Sequence, residues 1–312
     1  MNRIDEAPVF FSGRNAMIIG LVSLAYLLLS GWLIGYKPDQ LYLVVFFLAL
    51  YYLSVPTRKF IVAFSIYIVF WILFDYMKAF PNYRLNAVHI QDIYLAEKYV
   101  FGIQSNGVLL TPNEYFLQHK NLAVDIATGF FYLCWMPLPL AFSAYLLYKK
   151  PMVFYYFSLS FLLVNIVGWV LYYSFPAAPP WYVQLYGFSF NAHTPGNTAG
   201  LDSFDRFFNA GIFKQLYTKS SNVFAAMPSL HASYPVVALY YGIKYKVGLG
   251  KNIVIALIMA GTWFAAVYNS HHYIIDVLAG ISCAIVTLVL FRLLLKTTWL
   301  NQFIASYQKL VN

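Results

Sequence analysis

The residues able to do chemistry gather in two short motifs in the second half of the chain. His231 closes Pro228-Ser229-Leu230-His231, and His272 stands four residues before Asp276 in His271-His272-Tyr273-Ile274-Ile275-Asp276. If a helix opens there, a spacing of four puts His272 and Asp276 on one face. A carboxylate so placed can accept the N–H of one imidazole nitrogen and leave the other bare and aimed outward. That is how a neutral histidine becomes a nucleophile or base. His231, at the mouth of another apolar run, can supply the complementary acid, and helix-start amides near Ser229 and His272 would suit a phosphate oxygen. The same residues have plainer uses. A His-x-x-x-Asp pair at a helix start also serves as a cap, and Pro-Ser-Leu-His is a proline turn with a serine N-cap. A metal site built from His231, His271, His272 and Asp276 is disfavoured, because adjacent histidines leave a helix in different directions. No metal or organic cofactor is expected.

The elements that must position these groups are membrane helices. Of 312 residues, 61% are hydrophobic and 10% charged, against about 25% charged in an ordinary soluble domain, which excludes a soluble enzyme. Apolar runs at 16–36, 41–55, 60–77, 122–148, 152–175, 229–247, 252–268 and 274–295 predict an all-α polytopic bundle of about eight transmembrane helices. We expect a single integral membrane domain, with a catalytic core over 60–296 and residues 1–59 as added N-terminal helices. Cys134 and Cys283 fall inside apolar runs and form no disulfide framework.

The net charge of +9 is scattered through short loops, which argues for a bilayer orientation rather than for nucleic acid. Arg58, Lys59, Lys149, Lys150, Lys244, Lys246, Lys251, Arg292, Lys296 and Lys309 mark one side as cytoplasmic. All six histidines, His89, His119, His193, His231, His271 and His272, fall on the other, which is extracytoplasmic or lumenal. On that side, 88–101 has the spacing of an amphipathic interfacial helix. Thr111-Pro112-Asn113-Glu114 reads as a capping box opening a helix that runs through His119 into the membrane. Asp125, one turn inside the apolar zone, is either a structural hydrogen-bond partner or a substrate contact.

With the proline cluster Phe175-Pro176-Ala177-Ala178-Pro179-Pro180-Trp181-Tyr182, the two histidine motifs make three elements in order. In that order and spacing the chain resembles the membrane branch of the type-2 phosphatidic acid phosphatase superfamily, and within it the inositol phosphorylceramide synthases and their bacterial relatives. The likeness covers 176–280, and more loosely 78–148. Pro-Ser-Leu-His at 228–231 answers to the family's Pro-Ser-Gly-His, with the leucine of the synthase branch. His271 to Asp276 answers to that branch's His-His-Tyr-x-x-Asp. The resemblance implies that His272 forms a phosphohistidine, Asp276 orients it and His231 protonates the leaving oxygen. Ser229, His271, Tyr268, Asn269, Trp181 and Asp125 are the candidate substrate contacts.

The departures also inform. Phosphatases of the superfamily carry a lysine and an arginine in the first element, and a Ser-Arg pair six residues before the nucleophile. Here the first element has neither cation, and Ala265 and Ala266 stand where the pair would be. A diester has one negative charge and needs fewer cations than a monoester dianion, which favours a phosphodiester donor. With that, the resemblance implies a phosphotransferase that moves a phosphoinositol-type head group from a phosphatidylinositol-like lipid to a ceramide-like lipid alcohol. Its partners are membrane lipids. A lipid phosphatase or pyrophosphatase on the same scaffold is the alternative, with water as acceptor; a transporter or non-catalytic protein is disfavoured by the intact His231, His272 and Asp276 set. Arg206, Lys214 and Lys219 are long-loop cations that could fold back over the site.

Overall fold

The structure is a computed structural model, and it describes residues 12–218 and 222–311. Among these the chain is all-α apart from one small hairpin, and it divides into two compact units at Phe80 and Thr298.

The first unit holds α1 (Gly13–Ile34), α2 (Pro38–Leu53), α3 (Val55–Ala63) and α4 (Ser65–Tyr76), joined by the C-terminal α16 (Thr298–Val311). The apolar run at 60–77 is interrupted: α3 and the helical stretch after it meet at Phe64 with a bend of 46°. A break frees carbonyls that an apolar setting cannot solvate. The Tyr307 hydroxyl of α16 lies 2.9 Å from the Val62 carbonyl and 2.6 Å from that of Ala63.

The second unit carries α5 (Gln91–Phe101), the strands β1 (Ile103–Ser105) and β2 (Val108–Leu110), α6 (Pro112–Gln118), α7 (Leu122–Leu133), α8 (Pro137–Lys149) and α9 (Pro151–Ser174). There follow α10 (Pro180–Tyr186), α11 (Asp202–Phe208), α12 (Ile212–Thr218), α13 (Leu230–Lys244), α14 (Leu249–Tyr268) and α15 (Ile274–Leu294). Helix α13 packs against α9, α14 and α15. Its approach to α15 is close enough to require Gly280, where an added Cβ would stand 2.1 Å from the Ser229 carbonyl oxygen. Ser233 Oγ seals that contact by donating to the Gly280 carbonyl at 2.7 Å.

Local chemistry explains most boundaries. The capping box at Thr111 and Glu114 opens α6, with Pro112 in its first turn. The helix does not run on through His119, however. It stops at Gln118, and Asn121 caps a new helix by accepting from the amides of Ala123 and Val124. The 122–148 run breaks between α7 and α8 with a bend of 44°, where Pro137 has no amide to continue the ladder. The hairpin lay outside the sequence reading, although its Asn106-Gly107 turn, with φ of 49° and 79°, is a hairpin signature. By length and apolarity α1, α9, α14 and α15 suit a bilayer crossing, and the two bent pairs raise the number to six. Several membrane helices are therefore present.

Candidate active site

Backbone hydrogen bonds knit the three elements together. Ala177 donates to the Phe224 carbonyl at 2.9 Å and accepts from Ala226 at 3.3 Å, while Ala178 donates to the His89 carbonyl at 3.0 Å. Trp181 donates its amide to the Ser270 carbonyl at 3.0 Å, and Ser229 donates to the Asp276 carbonyl at 2.9 Å. Asn113, at the start of α6, straps the last loop by donating to the carbonyls of Val267 and His272 at 2.8 and 2.9 Å. Each motif is thus held by main-chain partners far away in sequence, which fixes its side chains without long flexible tethers.

His272 and His231 come together at the centre. The His272 ring is buried, with Nδ1 2.9 Å from the Ala226 carbonyl. A carbonyl only accepts, so Nδ1 carries the proton and Nε2 keeps its lone pair. That lone pair faces His231 Nδ1 at 3.4 Å. His231 also has the Tyr132 hydroxyl 3.5 Å from Nδ1 and the edge-on Trp135 ring 4.9 Å away.

Asp276 differs from its expected geometry. His272 precedes α15 rather than sharing its first turn, and Asp276 Oδ2 accepts the Tyr273 amide at 2.8 Å as the carboxylate of a capping box. Oδ2 stands 3.7 Å from His272 Nδ1, near enough for charge attraction and too far for a hydrogen bond. The tautomer of His272 is therefore set by the Ala226 carbonyl. The amides opening α15 are also taken, because Ile274 and Ile275 donate to the two Glu97 oxygens at 2.9 and 3.1 Å. The expectation that these amides receive phosphate oxygens is corrected accordingly.

The remaining candidates fall into two groups. His271 lines the same space: its ring is buried between Tyr132 and Tyr217, with centroids 5.3 and 4.6 Å away, and Nε2 donates to the Thr198 carbonyl at 2.9 Å. Burial pushes its pKa down to about 3, with His272 and Lys120 adding to the effect, so it is neutral near pH 7. Ser229 is buried and caps α13 by accepting from the Ala232 amide. Asn269 is buried, donating to the Ala265 carbonyl at 3.1 Å, and the Trp181 side chain packs beneath the first element with Ile90, Tyr182 and Phe224. Tyr268 donates to Asp125 Oδ1 at 2.7 Å.

Beside that pair lies a cation the sequence reading missed. Lys120 Nζ is 3.6 Å from Asp125 Oδ1 and 4.0 Å above the Tyr268 ring. Burial pushes its pKa down while Asp125 opposes the shift. Of the long-loop cations, Arg206 forms an exposed ion pair with Asp202 at 2.6 Å, Lys214 is exposed, and Lys219 lies outside the described residues. His89 stacks on Phe175 and pairs with Asp92, His119 stacks on Tyr115, and His193 is exposed.

Glu97, Asn113, Lys120, Tyr132, Trp135 and Tyr217 thus join the site from elements outside the motifs. Only Asn113 and Glu97 carried a sequence signal, one in the capping box and one as an acid on an amphipathic helix. As built, the cleft offers one imidazole lone pair, a second imidazole beside it and a wall of aromatic and hydroxyl groups. That combination suits nucleophilic attack on phosphorus with proton transfer to or from an oxygen.

The chain matches the PAP2 superfamily over residues 108–290 and belongs to that family. It is 43% identical over 302 residues to the phosphoinositol dihydroceramide synthase of Bacteroides thetaiotaomicron, covering 96% of this chain and 99% of that protein. The inositol phosphorylceramide synthase catalytic subunit of Saccharomyces cerevisiae is 34% identical over 119 residues, 38% of this chain and 29% of the yeast protein. The inositol phosphorylceramide synthase of Candida albicans is 27% identical over 171 residues, 52% of this chain and 36% of its own. No solved structure matches the chain significantly.

Proposed function

We propose that this chain is a membrane phosphotransferase that moves a phosphoinositol head group from a phosphatidylinositol-like lipid to a ceramide-like lipid alcohol. Near full-length likeness to a phosphoinositol dihydroceramide synthase supports the substrates. The observation that carries the mechanism is the bare Nε2 of His272, fixed by the Ala226 carbonyl and facing His231 at 3.4 Å.

In the first half-reaction His272 Nε2 attacks phosphorus, the bond from phosphorus to the diacylglycerol oxygen breaks, and His231, protonated as the anionic donor lipid enters, gives its proton to that oxygen. Diacylglycerol leaves, and phosphoinositol remains on His272. In the second, His231 takes the proton of the ceramide hydroxyl as its oxygen attacks phosphorus, and the N–P bond breaks. Asp276, 3.7 Å from Nδ1, offsets the positive charge of the phosphorylated ring. Ser229, His271, Tyr268, Asn269, Trp181 and Asp125 are the proposed substrate contacts or their immediate supports. Lys120 adds positive charge beside Asp125 and Tyr268.

Eight crossings are the finer reading of the bundle, counting the short α2 and α13 with the six spans above. The site opens to the extracytoplasmic or lumenal face, and 60–296 forms the catalytic core with 1–59 added to it. The decisive experiment gives the purified protein labelled phosphatidylinositol and ceramide. Labelled phosphorylceramide is the expected product, whereas release of the labelled head group into water would indicate hydrolysis. His272→Ala should abolish both transfer and acid-labile label on the protein while eluting normally in detergent. Activity within about tenfold of wild type, or about 1.4 kcal/mol of barrier, would overturn the covalent mechanism.

A further inference from the structure

We propose that Glu97 is a positioning residue for the transfer reaction, its ionised carboxylate holding the first turn of α15, and with it His272 and Asp276, in the geometry that attack requires. The proposal rests on the assignment of His272 as the nucleophile.

The geometry is unusual for a helix start. Glu97 lies on α5, is fully buried, and reaches across 177 positions to accept the Ile274 amide on Oε1 and across 178 to accept the Ile275 amide on Oε2. With the Tyr273 amide held by Asp276, three successive amides immediately after His272 are bound by carboxylate oxygens. A helix start leaves its first amides without intrahelical partners, and Asp276 meets only that of Tyr273. Glu97 meets the next two, at the desolvation cost of a second buried carboxylate drawn from another helix. What the second carboxylate adds is a fixed link between α5 and the two residues that follow His272 and Tyr273.

The surroundings tie the link to protonation. Asp276 and Tyr273 face Glu97 from the start of α15, and Glu114 from α6 acts on the same tyrosine together with Tyr94 of α5. Glu114 accepts from Tyr94, which in turn accepts from Lys98. The segments completing the packing present Phe175, Ala177, Ala226 and Met227, none of them charged. Burial, opposed by the two amide bonds and aided by the Asp276 charge, raises the Glu97 pKa to about 7. Ionised, the carboxylate accepts both amides. Protonated, it places an O–H where an amide N–H already points, and one bond is lost.

The test compares wild type with Glu97→Gln, which keeps the shape but offers a single acceptor oxygen. In wild type, kcat should fall on the acid side with a midpoint near 7. In Glu97→Gln, kcat at about pH 8 should drop roughly tenfold with KM within about twofold, and the acid limb should disappear. Glu97→Asp should restore the acid limb. A Gln variant with wild-type kcat, or one that keeps the acid limb, overturns the proposal. Amide exchange in wild type is the second measurement and needs no variant to fold. Corrected for intrinsic rates, protection of the peptide covering 270–278 should weaken as pH falls through 7, and protection independent of pH overturns the proposal. Exchange does not depend on turnover, so failure of the clamp is distinguishable from failure of the His272 assignment, which His272→Ala tests by itself.

Discussion

At His272 the group that orients the ring is a main-chain oxygen, and this changes what Asp276 is for. With the Nδ1 proton held by the Ala226 carbonyl, the tautomer survives removal of the Asp276 charge. Asp276→Asn keeps an oxygen for the Tyr273 amide, so the cap survives as well. Only the attraction between the carboxylate and a phosphorylated ring is lost. The expected result is a fall in kcat of about tenfold to hundredfold, or roughly 1.4 to 2.7 kcal/mol, with an unchanged thermal midpoint in detergent. A loss near 10⁴, the size seen when an orienting carboxylate sets the tautomer, would mean that the ring turns to Asp276 during turnover. That His231, His271, His272 and Asp276 lie together was legible from the motifs and the family order they resemble. The Ala226 carbonyl was not, because every residue has one and sequence carries no mark of which oxygen faces a ring. The aromatic wall of Tyr132, Trp135 and Tyr217 was equally hidden among 28 tyrosines and 7 tryptophans.

Elements bring the two histidines within reach of each other, and the contact of α13 with α15 has the least slack. Ser229 precedes α13 and Gly280 lies on α15, and a Cβ at 280 would meet the Ser229 carbonyl oxygen at 2.1 Å and the Ala232 Cβ at 3.3 Å. Backbone atoms cannot rotate aside as a side chain can, so Gly280→Ala must move the start of one helix. His231 is two residues beyond Ser229, and its distance to His272 Nε2 would grow. We expect transfer to fall by more than about tenfold, while the bundle, held elsewhere by long apolar helices, still extracts and elutes as a folded protein. Full activity would show that the ring pair tolerates helix displacement. At this scale the sequence was readable wherever local chemistry decides, as in the Thr111 and Glu114 capping box and the apolar lengths of α9 and α15. It misled where tertiary partners decide. Asn121 restarts a helix after His119, and Glu97 turns an interfacial helix into the clamp for α15, neither of which a periodicity reveals.

Along three long helices of the second unit, basic residues and the histidine motifs occupy opposite ends. Helix α9 runs from Lys149 and Lys150 to the first element, α13 from His231 to Lys244, and α15 from the His272 loop to Arg292. With 24 residues, α9 separates its ends by about 36 Å. Positive charge at short loops favours the cytoplasmic side, so the histidine end should face away from it, where a lipid head group can enter from the outer leaflet. The loop at 269–273 would serve poorly as a labelling site, since Asn269, Ser270, His271 and His272 are all buried. His193 is exposed beyond α10 at the histidine end, and Lys149 closes α8 at the other. In a background with Cys134→Ser and Cys283→Ala, His193→Cys should react in sealed cells with a membrane-impermeant thiol reagent, and Lys149→Cys only after the membrane is opened. The reverse pattern would place the chemistry on the cytoplasmic face. The basic loops would then mark the substrate side, and the orientation drawn from charge would be inverted, whereas the link between the Ala226 carbonyl, His272 and His231 is internal to the bundle and holds in either orientation.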